Sequence, residues 1–217
     1  MNARIRLGLL AAALSAVPFA AIAAADEPAA PGTPEQITQY YESGEYAGDL
    51  KAVTADATKS LTAQVKKNPK KPAIVFDIDD TLESTYDCAK RSNFDRNAIT
   101  ACQAQTDQTP IAPVWKLLKL AQKQKVALFV ITARPVGIEQ STRAQLKRDG
   151  LKGKYTLVMR PNSDLGQPAA PYKSAARKAI QKRGYKILVN IGDQRSDLDG
   201  NPSGKKFKVP NPMYFTP

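Results

Sequence analysis

Apolar residues fall along the chain in two kinds of run. The first kind is short, continuous and bounded by breakers, at residues 73–76, 126–132, 155–159 and 187–191. Runs of that length predict strands buried on both faces, the habit of parallel sheets. The second kind is periodic. Over residues 34–65 the spacing of Tyr40, Tyr41, Leu50, Val53, Ala57, Leu61 and Val65 predicts helix, broken into two by Gly44 and Gly48. Helices are also expected over 137–148 and 173–183, with Gly150 and Gly184 as their stop signals, and Trp115 begins a further apolar helix. Residues 207–209 add a short fifth strand. Strand–helix–strand alternation of this kind predicts an α/β fold on a parallel sheet.

Two stretches break the rhythm. At the start, Arg4 and Arg6 precede an apolar segment, 7–22, that ends in Ala23-Ala24-Ala25 before Asp26. Residues 1–25 therefore read as a secretory signal peptide; the alternative, an uncleaved anchor, has an Ala-rich segment that is short for a span. Residues 26–45 follow as a flexible leader and the start of the helical region, ahead of one domain over 46–217. The second break, residues 83–113, is polar and weakly periodic. It directly follows the first strand, so it is expected to form a small cap overhanging the carboxyl ends of the strands, where open α/β sheets bind ligands.

Composition narrows the chemistry. The chain has no histidine, which excludes Ser-His-Asp and Cys-His nucleophile pairs, histidine-rich zinc sites and phosphohistidine. Acid–base work falls to carboxylates, lysine or tyrosine. The 32 Lys and Arg residues exceed the 20 Asp and Glu residues, a formal charge of +12. Loss of the two signal-peptide arginines would leave 30 against 20, or +10. These cations are dispersed, and Pro69 interrupts the densest cluster, so a solvated basic surface is expected rather than a nucleic-acid groove. In an oxidising compartment Cys88 and Cys102 are expected to pair, closing a loop worth about 3 kcal/mol; two free buried thiols are the alternative.

Polar residues gather where three strands end. The first gives Asp77-Ile78-Asp79-Asp80-Thr81, the second Thr132-Ala133-Arg134 and the fourth Gly192-Asp193-Gln194-Arg195-Ser196-Asp197, while Lys173 opens a helix on the same edge. Clustered carboxylates repel one another, and a hard divalent cation relieves that repulsion. Oxygen ligands beside a lysine and a threonine suit Mg²⁺ with a phosphate, which predicts phosphoryl chemistry.

These residues form recognisable motifs: FDIDDT at 76–81, ITARP at 131–135, PYKS at 171–174, NIGDQRSDLDG at 190–200 and PNPMYF at 210–215. Through them the chain resembles the haloacid dehalogenase-like (HAD) superfamily. Within it, the likeness is to the acid-phosphatase branch of secreted bacterial acid phosphatases and plant vegetative storage proteins. The resemblance implies a Rossmann-like three-layer α/β/α fold with a central parallel sheet and a small cap after the first strand. It implies Asp77 as the nucleophile that forms an aspartyl-phosphate, Asp79 as the acid and base, Thr132 as a phosphate ligand and Lys173 as the balancing charge. Mg²⁺ would be held by the Asp77 carboxylate, the Asp79 backbone carbonyl and Asp193, with Asp197 as a ligand or a support behind them. The expected protein is a periplasmic or secreted phosphatase of small phosphomonoesters, nucleotide or aryl phosphates among them, with no stable membrane association once the signal is removed. Tyr86, Phe94 and Trp115 are candidates for stacking on an aromatic leaving group, with core packing an equal alternative for Trp115 at the start of its apolar helix, and Asp80 is expected to make local turn hydrogen bonds. The alternatives are a phosphotransferase with the same intermediate and a non-catalytic storage or anion-binding protein.

Overall fold

The structure, a computed structural model, describes residues 31–202 and 204–216; the expected signal peptide and the start of the expected leader lie outside the described residues. Five parallel strands form the central sheet: β1 (Pro72–Phe76), β4 (Ala127–Pro135), β5 (Thr156–Arg160), β6 (Lys186–Gly192) and β7 (Lys205–Lys208). Their order is β5-β4-β1-β6-β7. β1 therefore sits in the middle, paired with β4 and β6, and Asp77 follows it.

The continuous apolar runs reflect a sheet covered on both faces. Ile74 and Phe76 point to one side, where they pack with Leu50, Ala57 and Leu61 of α2 (Glu45–Val65) and Val114, Leu117 and Leu118 of α5 (Ala112–Lys123). Ala73 and Val75 point to the other, against Phe129 and Ile131 of β4 and Ile180 of α7 (Ala169–Lys182). Successive side chains of one strand thus serve two separate cores, and helix, sheet and helix make three layers.

Several expected boundaries move. Ser43 and Gly44, the latter at φ 91°, separate α1 (Pro34–Glu42) from α2; Gly48 lies inside α2. The helix expected over 137–148 begins with a 3₁₀ turn, Val136–Ile138, before α6 (Glu139–Arg148). α7 begins at Ala169, so Lys173 lies in its second turn and does not open it. β4 runs to Pro135, which places Thr132 and Arg134 within the strand. α1 is packed: Ile37 is buried with Ala89, Ile99, Met213 and Tyr214, and the Gly32 N–H donates to the Pro212 carbonyl at 3.0 Å. A boundary at residue 46 therefore divides one packed unit.

The segment after β1 is a compact excursion. β2 (Glu83–Ser84) and β3 (Thr109–Pro110) pair antiparallel and bracket α3 (Tyr86–Arg91) and α4 (Arg96–Gln105). A Cys88–Cys102 disulfide joins these helices, with Cα atoms 6.0 Å apart. Their periodicity is weak in sequence because each is short and buries little: Ala89 from one, Ile99 and Cys102 from the other. Among the described residues no helix is long and apolar enough to cross a membrane.

Candidate active site

The site lies at the carboxyl edge of the sheet and is built around the turn after β1. The Asp77 N–H donates to the Ile191 carbonyl at 3.1 Å, which continues the ladder to β6. The chain then turns sharply, with the N–H groups of Thr81, Leu82 and Glu83 all directed to the Ile78 carbonyl. Asp80 holds this turn at φ 55°. Its carboxylate accepts from the Thr85 N–H at 2.8 Å, the Thr85 hydroxyl at 2.6 Å and the Tyr214 hydroxyl at 2.7 Å. Asp80 is thereby committed to structure, the turn role its position implies.

Lys173 reaches into the centre of the cluster. Its Nζ lies 2.6 Å from Asp77 Oδ1 and also pairs with Asp197 Oδ1. Asp193 accepts from the Thr81 hydroxyl at 3.1 Å, the Gln194 amide at 2.6 Å and the Asn211 amide at 2.7 Å. Asp197 belongs to α8 (Arg195–Leu198) and accepts from the Gln194 N–H at 2.8 Å. A Cβ on Gly192 would collide with the Asp197 side chain, so glycine at the end of β6 is what lets that carboxylate lie against the strand. Oxygen atoms of Asp77, Asp193 and Asp197 come within 4.8 Å of one another, and all three residues are buried.

The Asp79 side chain is not part of that trio. Arg134 grips it with Nε at 3.1 and 3.0 Å from the two carboxylate oxygens and Nη2 at 2.7 Å. Thr132 is fully buried and accepts the Arg134 backbone N–H at 3.1 Å, which leaves its hydroxyl proton free to donate.

Five aspartates (77, 79, 80, 193 and 197) face Lys173 and Arg134, a formal excess of three negative charges in a largely buried space. The imbalance appears in their ionisation. Burial, reinforced by Asp197, pushes the Asp77 carboxyl well above the usual carboxylate range, against the pull of Lys173. Burial and Asp197 push Asp193 up to about 7, and burial pushes Asp80 up to about 6 despite its hydrogen bonds from Thr85. Burial works to lower the Lys173 ammonium, but Asp197 and Asp77 outweigh it and raise its pKa. An all-oxygen donor set with surplus negative charge fits a hard divalent cation.

A small cavity opens onto Asp77, Asp79, Lys173 and Asp193. Its rim includes Gln103 from α4, with Tyr214 and Thr216 from the C-terminal segment. Gln194 and Tyr214 fall within the sequence motifs, but Gln103 carries no local signal, because only the folded cap brings it to the site. The three aromatic candidates lie elsewhere. Tyr86 stacks on Tyr41 with ring centroids 4.0 Å apart and packs beside Phe94. Trp115 is a core residue whose indole N–H donates to the Leu82 carbonyl at 3.0 Å. Tyr214 is the aromatic at the cavity. A larger groove beside Lys178, Lys182 and Asn201 is shallow surface without an acidic cluster.

A parallel α/β/α sheet with buried aspartates at the end of its central strand, and a small cap after that strand, defines a HAD-type domain. The chain belongs to the HAD superfamily, subfamily IIIB (acid phosphatase), whose family model matches residues 12–217. It is 31% identical to vegetative storage protein 1 of Arabidopsis thaliana over 81% of this chain and 67% of that one. It is 27% identical to acid phosphatase 1 of Solanum lycopersicum, over 83% and 73% respectively. Among solved structures, the class C acid phosphatase from Bacillus anthracis shares the fold with a TM-score of 0.65, covering 84% of this chain and 85% of that chain at 19% identity.

Proposed function

We propose that the protein is an exported, Mg²⁺-dependent acid phosphatase that hydrolyses small phosphomonoesters through an aspartyl-phosphate on Asp77. The observation that carries this reading is the placement of two aspartates two residues apart on one cavity. Asp77 is balanced by Lys173 at 2.6 Å, and Asp79 is held beside it by the Arg134 fork.

In the first step an Asp77 oxygen forms a bond to phosphorus while the bond from phosphorus to the ester oxygen breaks. Asp79 gives its proton to the departing alkoxide. In the second step Asp79 takes a proton from water as that water attacks phosphorus, releasing phosphate and restoring the Asp77 carboxylate. Lys173 and the Thr132 hydroxyl offset charge on the phosphoryl oxygens. The carboxylates of Asp77 and Asp193 with the Asp79 carbonyl would hold Mg²⁺, supported by Asp197, and the ion would supply further positive charge to the phosphoryl group. The basic surface favours the approach of anionic esters.

Storage proteins among the relatives give weight to a non-catalytic reading. Against it stand the intact Asp77, Asp79 and Lys173, arranged on one cavity. Turnover of p-nitrophenyl phosphate with Mg²⁺ decides between the two. The wild-type protein is expected to turn over, folded Asp77→Asn is expected not to, and EDTA is expected to abolish the activity; a fully active Asp77→Asn would end the proposal. Product analysis in excess alcohol distinguishes hydrolysis from phosphotransfer. For export, the N-terminus of the protein recovered outside the cytoplasm is expected at Asp26.

A further inference from the structure

Arg134 is fixed at both ends. One edge of its guanidinium, Nε and Nη2, faces Asp79. At the opposite end Nη1 donates to Gln145 Oε1 at 2.7 Å and to the Thr142 hydroxyl at 3.5 Å. The Gln145 amide donates in turn to Gln108 Oε1 at 2.7 Å, and Arg134 Nη2 reaches the same oxygen at 3.4 Å. Gln108 closes the chain by donating to the Cys102 carbonyl at 2.7 Å. Arg134, Thr142, Gln108 and Gln145 are all buried, Gln145 completely and Gln108 to 6% exposure.

Two glutamines in the interior are not explained by packing. Apolar side chains of similar size would fill the same space without the desolvation cost of an amide. Each glutamine spends its oxygen on Arg134, and each uses its N–H₂ to fix a neighbour: Gln145 fixes Gln108, and Gln108 fixes the cap helix at Cys102. The network crosses three parts of the fold, with Arg134 on β4, Gln145 on α6 and Gln108 at the foot of the cap. A planar guanidinium held only at its carboxylate edge can swing about its long side chain. Held from behind as well, it presents its fork in one direction.

We propose that Gln108 and Gln145 are positioning residues for the acid–base step: they aim the Arg134 fork and so set where the Asp79 carboxyl sits against the leaving-group oxygen. The proposal rests on the role assigned to Asp79 above. Gln108 also ties that geometry to the disulfide-linked cap, so the α3–α4 unit and the proton-transfer group are braced by one polar chain.

The test uses leaving groups that differ in their need for a proton. A nitrophenolate leaves with little protonation, whereas an alkoxide requires it. Gln108→Met and Gln145→Met are compared with wild type on p-nitrophenyl phosphate and on glycerol 2-phosphate. The readout is kcat/KM, which covers the steps through departure of the leaving group and not the later hydrolysis common to both esters. The expected result is a fall of about tenfold or more on the alkyl ester and less than about threefold on the aryl ester, on the scale of a mispositioned general acid. An equal fall on both esters, or no fall, overturns the proposal. If the methionine variants fail to fold, Gln108→Glu and Gln145→Glu keep the shape. Their added carboxylate draws the fork away from Asp79, and an unchanged alkyl-to-aryl ratio again overturns it. Asp79→Asn separates the two levels of the claim. If kcat/KM falls equally on both esters in that variant, the acid role of Asp79 fails; if it falls selectively on the alkyl ester while the glutamine variants show no such selectivity, only the positioning proposal fails.

Discussion

Glu83 is a buried acid outside the site chemistry. It starts β2, is fully buried, and neither of its carboxyl oxygens has a hydrogen-bond partner. Burial, with Asp149 adding to it, pushes its pKa from 4.5 up to about 8; Arg134 and Arg148 pull less strongly the other way. The sign follows from the protons held in each state. In the unfolded chain Glu83 loses its proton near its ordinary value, while in the folded protein it keeps the proton until about pH 8. Between those values the folded state holds the extra proton, so stability falls as pH rises through that window. At about 1.4 kcal/mol per pH unit, the whole window is worth on the order of 4 to 5 kcal/mol. Glu83→Gln removes the titration but buries an unpartnered amide, at a cost of about 1–3 kcal/mol. The variant should therefore be less stable than wild type by about 1–3 kcal/mol below pH 4.5, where the carboxyl is neutral in both states, and more stable by about 1–4 kcal/mol at pH 8. Urea unfolding followed by Trp115 fluorescence at several pH values, in EDTA with the disulfide intact, measures the difference. Other titrating groups are common to both proteins and cancel. A difference that stays constant with pH would refute the reasoning.

Two further outcomes follow from the same geometry. Replacing Cys88 and Cys102 together by alanine reopens a loop with a sequence separation of 14 and should cost about 3 kcal/mol in chemical denaturation, a loss that reduction of the wild-type protein reproduces. Adding Mg²⁺ after EDTA should raise the Tm of the wild-type protein, because the ion relieves the surplus negative charge around Asp77, Asp193 and Asp197. Asp193→Asn should shrink that rise, and an equal rise in both proteins would place the ion elsewhere.

The parts of the fold that were legible in sequence are those governed by local rules. Strands buried on both faces show as apolar runs, so β1, β4, β5 and β6 lie within a residue or two of the runs that mark them, apart from the extension of β4 to Pro135. Glycine is an ambiguous signal. Gly44 takes a left-handed conformation and breaks the helix, whereas Gly48, four residues on, is tolerated on an exposed helix face. The cap helices were not visible because they bury little and rely on a disulfide and on contacts with α1 and the C-terminal segment. At the site, the aspartates and Lys173 stand out because charge at strand ends is chemically unusual. Gln103, Gln108 and Gln145 do not, since glutamine is ordinary on a surface and becomes informative only once it is seen buried. Aromatic residues are ambiguous for the opposite reason: Tyr86 is conspicuous in sequence but stacks on Tyr41, and Trp115 takes the core position that its apolar helix also allows.

The central claim is that phosphorus bonds to Asp77 during turnover, and chemical trapping tests it directly. Wild-type protein is mixed with a phosphomonoester and Mg²⁺, quenched in acid and reduced with borohydride, which converts an aspartyl-phosphate to homoserine. Peptide mass spectrometry should then find homoserine at position 77 and at no other aspartate, with none formed when substrate is omitted. Turnover-competent protein that yields unmodified Asp77, or the mark at Asp79 or Asp193, would contradict the account.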